Sequence, residues 1–348
     1  MRKISFRHEL LDENELVLGD VPMDSSSVSL DSEAQIVRTA RFTLHTGISR
    51  DIDFLHNLIR PVVIIDENEE HKEAPLGVFL LSSPSQRTAP AGITTSVEAY
   101  DRTQILLEDR VTDRYFLPKG YKYSSAITSL VSSAGIRSIF IDQNEKTLRR
   151  DREWEIGTSK LEIINALLNE MNYNAIYTDG KGIMRCTPYK LPWQKIPEVT
   201  YRTDDFSRIL STGSEKTADI FNIPNVWVCV ASNAEDSPLV SKFENTNPAS
   251  LTSTIRRKRR IVKFETISDI ADQESLDAYV KQQAYKSSNI YEELNFETLI
   301  NPDHGYQTAM AIEHKRLGID AKYIETSWTI PLQVGGRMQH KARRILQI

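Results

Sequence analysis

The spacing of apolar residues along this chain changes twice, from every second residue to a helical period of about 3.6 and back again, so no single kind of secondary structure can account for it. Up to residue 106 the pattern is alternation. In TARFTLHT, Ala40, Phe42 and Leu44 fall on one side and Arg41 and Thr43 on the other, and ITTSVEAY repeats this with Ile93, Thr95, Val97 and Ala99. Such segments are half-buried strands. PVVIID and PLGVFLLS are short unbroken apolar runs bounded by Pro, Asp and Ser, as in more deeply buried strands, and DENEEHKEAP is a polar turn between them. Residues 1–106 are expected to form a small antiparallel barrel or sandwich.

From 107 to 198 the period is helical. Ile163, Ile164, Leu167, Leu168 and Met171 share one face, and Ser159 with Glu162 fits a capping box, which predicts a helix from Ser159 to Met171. YNAIYT and GIMRCTP then read as strands joined by Asp179-Gly180-Lys181-Gly182, residues that tolerate the positive φ of a tight turn. Sliding the sequence by 37 residues lays GYKYSSAITSLVSSAGIRSIFID over GTSKLEIINALLNEMNYNAIYTD. Gly120 meets Gly157, Ile127 meets Ile164, Leu130 meets Leu167 and Asp142 meets Asp179, so this region is expected to hold two copies of one αβ element. From 199 to 348 alternation returns in NVWVCVAS, RRIVKFETI, LNFETLI, AMAIEH, YIETSWTIPL and RMQHKARRIL. One helix interrupts it near 273–292, with Leu276, Tyr279, Val280, Ala284 and Tyr291 at helical spacing and Asp272 as its N-cap. The expected class is α+β, mainly β: two β domains, 1–106 and 199–348, flanking an αβ insert, 107–198.

The chemistry-bearing residues are sparse. The Gly180-Lys181-Gly182 turn lies between two strands and lacks the Ser/Thr of a phosphate loop, so it reads as a hairpin turn. None of His8, His45, His56, His71, His304, His314 and His340 stands at metal-ligand spacing, and Cys186 and Cys229, in apolar β-like surroundings, read as reduced core thiols. Asp303 and His304 in PDHGYQ are an acid/base pair on paper, but Pro, Asp and Gly together are ordinary turn chemistry. No catalytic, cofactor or metal residue is therefore assigned. The run Arg256-Arg257-Lys258-Arg259-Arg260 reads as a solvated strand face, with contact to an acidic protein neighbour and then nucleic acid as the alternatives. Trp227 and Trp328 lie in alternating runs, as core or interface anchors. Arg256 to Arg260 and Trp328 are the candidate partner-binding residues.

Net charge is −5 with a pI near 5.9, so there is no overall basic field to hold nucleic acid or an anionic membrane. The 40% of hydrophobic residues is too high for a disordered chain, and 348 residues allow about two or three domains. The opening MRKISFRHELLDENELVLGD has no apolar stretch of a secretory signal, and no run approaches the roughly 18 apolar residues of a membrane span. Synthesis in the cytoplasm is expected.

The order of segments resembles the central hub proteins of phage tail baseplates, including the late-control protein D group and the hubs of tail-like bacteriocins and type VI secretion spikes. The resemblance spans nearly the whole chain. It rests on APLGVFLLSSPSQ followed by TTSVEAYDRTQIL, on EWEIGTSKLEIINALLNEMNYNAIYTDGKGIMRCTPY, on FNIPNVWVCVAS and on SWTIPLQVGGRMQHKARRIL, and it is strongest toward hubs of Gram-positive contractile phages and defective prophages. It implies two similar tail-tube-like β-barrels per chain, so that a homotrimer presents six, and a non-enzymatic hub without cofactors. It also implies partners: the tail tube protein or a distal adaptor, a spike or central fibre protein, other baseplate proteins and the tape measure protein, with DNA only in transit. A peptidoglycan hydrolase of the tail is the alternative, and a hub ending at RRILQI is expected to have its spike and any hydrolase on separate chains.

Overall fold

The computed structural model describes residues 2–45, 52–89, 92–203, 213–218, 221–231, 238–267, 270, 272–288, 292–345 and 348. Thr46, Ser232, Tyr291 and Leu346, each at the end of an element expected above, lie outside them.

The first region is a set of strands: β1 (Lys3–Leu11), β2 (Val17–Asp20), β3 (Met23–Asp31), β4 (Arg38–Leu44), β5 (Leu58–Glu67), β6 (Glu70–Pro75), β7 (Phe79–Leu81), β8 (Ser85–Ala89) and β9 (Gly92–Asp101). The alternation works as expected in β4, where Ala40, Phe42 and Leu44 are buried and Arg41 is exposed. In β9 it holds for Thr95, Val97 and Ala99, while Ile93 at the strand's start is exposed. DENEEHKEAP is the end of β5 and all of β6, so the turn expected here is confined to Asn68-Glu69 and the rest of the segment is paired strand.

The middle region begins with α1 (Thr103–Glu108) and continues through β10 (Tyr115–Leu117), α2 (Tyr123–Ser133), β11 (Ile139–Ile141), β12 (Arg152–Trp154), α3 (Lys160–Glu170), β13 (Tyr177–Thr178) and β14 (Met184–Cys186). Both α2 and α3 have 11 residues and start 37 positions apart, as do β10 and β12, which pair with each other. The Ser159 hydroxyl accepts from the backbone of Glu162 and caps α3. The two helices pack their apolar faces into one core with Leu106, Met184 and Cys186. The strand that follows each helix joins the same small sheet, with β14 between β11 and β13.

The third region comprises β15 (Val199–Arg202), β16 (Glu215–Ala218), β17 (Val226–Ala231), β18 (Leu239–Glu244), α4 (Thr254–Arg257), β19 (Val262–Ile267), α5 (Gln273–Ser288), β20 (Glu292–Leu299), β21 (Ala309–His314), β22 (Ile319–Pro331) and β23 (Arg337–Arg344). Asp272 accepts from the backbone of Ser275 and caps α5. This region is not uniformly antiparallel. Strand β15 runs parallel to β21 and β17 parallel to β19. Strands β18, β17 and β19 form a separate sheet whose inner face, with Trp227 and Cys229, is covered by Leu276, Tyr279, Val280 and Ala284 of α5. Alternation fixes which face of a strand is buried, but it says nothing of the neighbour or its direction.

The two β regions are continuous with each other. Strand β22 pairs antiparallel with β3, placing Trp328 opposite Leu30 and Ile330 opposite Val28. Among the described residues this creates a 15-stranded sheet whose main path runs β16-β20-β23-β22-β3-β4-β9-β7-β5-β1-β2, with no closed barrel in its pairings. Trp328, Ile330, Leu332 and Met338 from the third region lie in one core with Phe42, Phe79 and Val97 from the first.

Candidate functional site

The residues that join the three regions are buried and hydrogen-bonded to one another. Arg38, at the start of β4, is 3% exposed. Its guanidinium donates to the carbonyl of Thr178 in the insert at 2.9 Å and to that of Leu76 before β7 at 2.8 Å, and lies over the Trp328 ring at 5.5 Å. Burial pulls it down to about 10, which leaves it charged near neutrality. Asp101, the last residue of β9, is fully buried and accepts from the Arg38 backbone and from the Thr103 backbone and hydroxyl. The Thr178 hydroxyl, 2.9 Å away, also donates to it. Burial still raises its pKa, because the cost of desolvating a carboxylate exceeds what these bonds return. One arginine and one aspartate thus lock the first region, the insert and β22 together.

The glycine turn of the insert supports the same junction. Asp179 closes it by accepting from the backbone of Lys181 and Ile183 and from the Arg185 guanidinium. A Cβ at Gly180 would stand 2.5 Å from the Pro75 carbonyl oxygen, and one at Gly182, whose φ is +79°, 2.7 Å from Val78 Cγ2. The glycines are there so that the hairpin can lie directly on the β6–β7 connection. Tyr177 stacks on Tyr306 at 4.1 Å, carrying the contact into the third region.

A second buried cluster comes from side chains far apart in sequence. The Glu325 carboxylate on β22 receives Nδ1 of His304 and Nδ1 of His340, each at 2.6 Å. The opposite ring nitrogens meet the hydroxyls of Tyr201 and Thr298, each at 2.7 Å. All three side chains of the core triad are buried, and the imidazoles pack with Tyr201 and Phe296. Burial lowers the pKa of His340, favouring neutral imidazole with Nδ1–H donated to the carboxylate. Three such groups are a donor set for a divalent ion. An ion about 2.1 Å from both atoms of a nitrogen–oxygen pair, at right angles or wider, would hold them about 3 Å or more apart, so contacts of 2.6 Å are those of a hydrogen-bonded network. Sequence spacing gave no sign of it, since the residues lie 21 and 15 positions apart. The available signal was a glutamate and a histidine at inward positions of β22 and β23.

The candidate residues fall in different places. Arg256 and Arg257 are in the last turn of α4, capped by Ser253, and Lys258 ends it with a φ of +51°. The basic run is thus a helical turn and its exit, not a strand face, because the Ser253 cap and the left-handed Lys258 define a short helix before β19 begins. Arg257 donates to the Ile223 carbonyl and Arg259 to that of Phe221, over whose ring it sits at 4.9 Å, while Arg256, Lys258 and Arg260 are exposed. Trp328 is 2% exposed and donates to the Gly305 carbonyl, so its contacts lie within the chain. The structure does not bring the basic run and Trp328 into one site. Asp303 and His304 are separated: Asp303 pairs with Lys72 at the surface and His304 turns inward to Glu325. Cys186 and Cys229 are buried free thiols, pushed up to about 12 and about 11 by burial.

No family model and no curated protein matches the chain. Its fold does match solved structures over nearly its whole length. A tail protein from Neisseria meningitidis MC58 superposes with a TM-score of 0.70 at 12% identity, over 97% of this chain and 96% of that one. The 43 kDa tail protein of prophage MuSo2 from Shewanella oneidensis gives 0.65 at 10% identity over 98% of both chains. Prophage tail protein gp18 from Listeria monocytogenes EGD-e gives 0.59 at 12% identity, over 97% and 94%. The chain has the fold of prophage tail proteins.

Proposed function

We propose that this chain is a non-enzymatic baseplate hub, a homotrimer in the assembled tail, which joins the tail tube to a spike or central fibre. The observation that carries the reading is coverage: a tail-protein fold spans 97% of this chain and 96% of its structural neighbour, leaving little of either chain outside the shared architecture. Two β lobes per chain would let three copies present six, and the unbroken sheet through β3 and β22, clamped by Arg38, suits a part that transmits load without hinging. The partners are then the tail tube protein or a distal adaptor, the spike or fibre, other baseplate proteins and the tape measure protein, after assembly in the host cytoplasm. DNA would only pass through, past a lining short of Lys and Arg, since a cationic lumen would retain a duplex carrying about one charge per 1.7 Å. The divided Asp303–His304 pair and the buried thiols favour this reading over a hydrolase. Native mass measurement tests it: a trimer is expected as concentration rises, and a strict monomer together with cell-wall clearing that is lost in Asp303→Asn would favour the hydrolase instead.

A further inference from the structure

Five cationic side chains line a cleft of about 430 Å³ where all three regions meet. Lys190 and Lys195 reach it from the insert, Lys263 from β19, Lys286 from α5 and Arg343 from β23, against a single lining carboxylate, Glu33. That carboxylate is already held by Arg343 through both oxygens, and nearby Glu265 accepts from the Tyr279 hydroxyl. Lys195 donates to the Gln307 carbonyl. Among the described residues Lys190, Lys263 and Lys286 have no carboxylate within ion-pair distance. Lys286 stands over the Tyr189 ring at 5.5 Å, walled by protein yet with its surface still accessible, and this concave setting lowers its pKa, as it does that of Lys195. In a chain of net charge −5 this is a local reversal of sign. Confined cations that outnumber the carboxylates around them repel one another and attract an anionic group.

The chain itself offers a matching one. The β5–β6 hairpin carries Asp66, Glu67, Glu69, Glu70 and Glu73, and its two turn residues, Asn68 and Glu69, have φ of +52° and +70°. That turn geometry favours Asn followed by Gly, and glutamate at the second position is held there at a conformational cost. Glu69 and Glu70 are exposed, with no cation in ion-pair distance among the described residues. The base of the hairpin is tied elsewhere in its own chain, by Arg7 to Glu73 and Lys72 to Asp303, and no hairpin residue lines the cleft. We propose that the cleft around Lys263 and Lys286 receives the acidic β5–β6 hairpin tip of a second copy of this chain. Donor and acceptor surfaces differ, so the contact is head-to-tail and closes into a ring when the rotation permits. This rests on the homotrimer reading and adds its contact surface.

Charge reversal in the full-length chain tests it by sedimentation at low and high salt. Lys263→Glu/Lys286→Glu and Glu69→Lys/Glu70→Lys should each weaken self-association by about 10-fold or more. A chain carrying all four substitutions should regain it, and salt should weaken the wild type. Carbodiimide coupling of mixed light and heavy isotope-labelled chains should join Glu69 or Glu70 of one copy to Lys263 or Lys286 of another. A trimer unaffected by the cleft reversal, or not restored by the fourfold variant, overturns the cleft assignment and leaves the trimer standing. A wild type that stays monomeric overturns both, and coupling of the cleft lysines in assembled particles only to a different protein overturns the hairpin as occupant.

Discussion

Replacing Glu325 tests the buried triad quantitatively. In Glu325→Ala two imidazole Nδ1–H groups lose their acceptor in a site with 0% side-chain exposure. A buried donor left unsatisfied costs about 1–3 kcal/mol, and either ring can recover part of this by moving its proton to Nε2 and donating to the hydroxyl of Tyr201 or Thr298. With the void added, the expected loss is about 3–5 kcal/mol. Glu325→Gln keeps the shape. Its amide oxygen accepts from one imidazole, its amide nitrogen donates to Nδ1 of the other in the alternative tautomer, and one buried negative charge is gone, so a loss of about 1 kcal/mol is expected. Urea unfolding followed by tryptophan fluorescence gives the difference, and hydrogen exchange over β20, β22 and β23 localises it. A loss under about 0.5 kcal/mol for the alanine variant, or a glutamine variant as damaged as the alanine one, refutes the hydrogen-bonded account. A chelator that lowers the melting temperature of purified wild type would put a metal in its place.

Three further outcomes are expected. Gly182→Ala combines a left-handed backbone with a Cβ 2.7 Å from Val78 and should cost roughly 2–4 kcal/mol, whereas Gly335→Ala, with φ +76° but open space around it, should cost only about 1 kcal/mol in thermal unfolding. Burial holds His8, beside the Ser26 hydroxyl, at about 4, against about 6.5 in an unfolded chain. The unfolded state therefore takes up this proton first: the contribution is complete above pH ~6.5, falls away as pH drops toward 4, and amounts to about 3 kcal/mol, with His340 acting in the same direction. A melting temperature independent of pH across that window, or a His8→Asn variant with an undiminished slope, contradicts it. Cys186 and Cys229 should resist a thiol-exchange reagent at pH 8 in the native protein and react fully in urea.

The legible parts of this fold are those set by local chemistry. Ser159 and Asp272 announce their helices because a cap acts within one turn, and the 37-residue offset reappears in α2 and α3 because identical spacing of apolar residues demands the same packing. What depends on distant partners was not legible. The β3–β22 pairing that merges the two β lobes, the parallel β17–β19 pair and the meeting of His304, Glu325 and His340 all follow from chain crossing, which alternation does not encode. The basic run shows a smaller version of the same limit: next to an alternating segment it looked like more strand, until the Ser253 cap and the left-handed Lys258 separated it as a helical turn.

Imaging the tail or tail-like particle that contains this chain, with its copies labelled and counted, bears most directly on the hub reading. Three copies ringed on the tail axis between tube and spike are predicted. Copies distributed along the tube, arranged off the axis, or absent from the particle would contradict it.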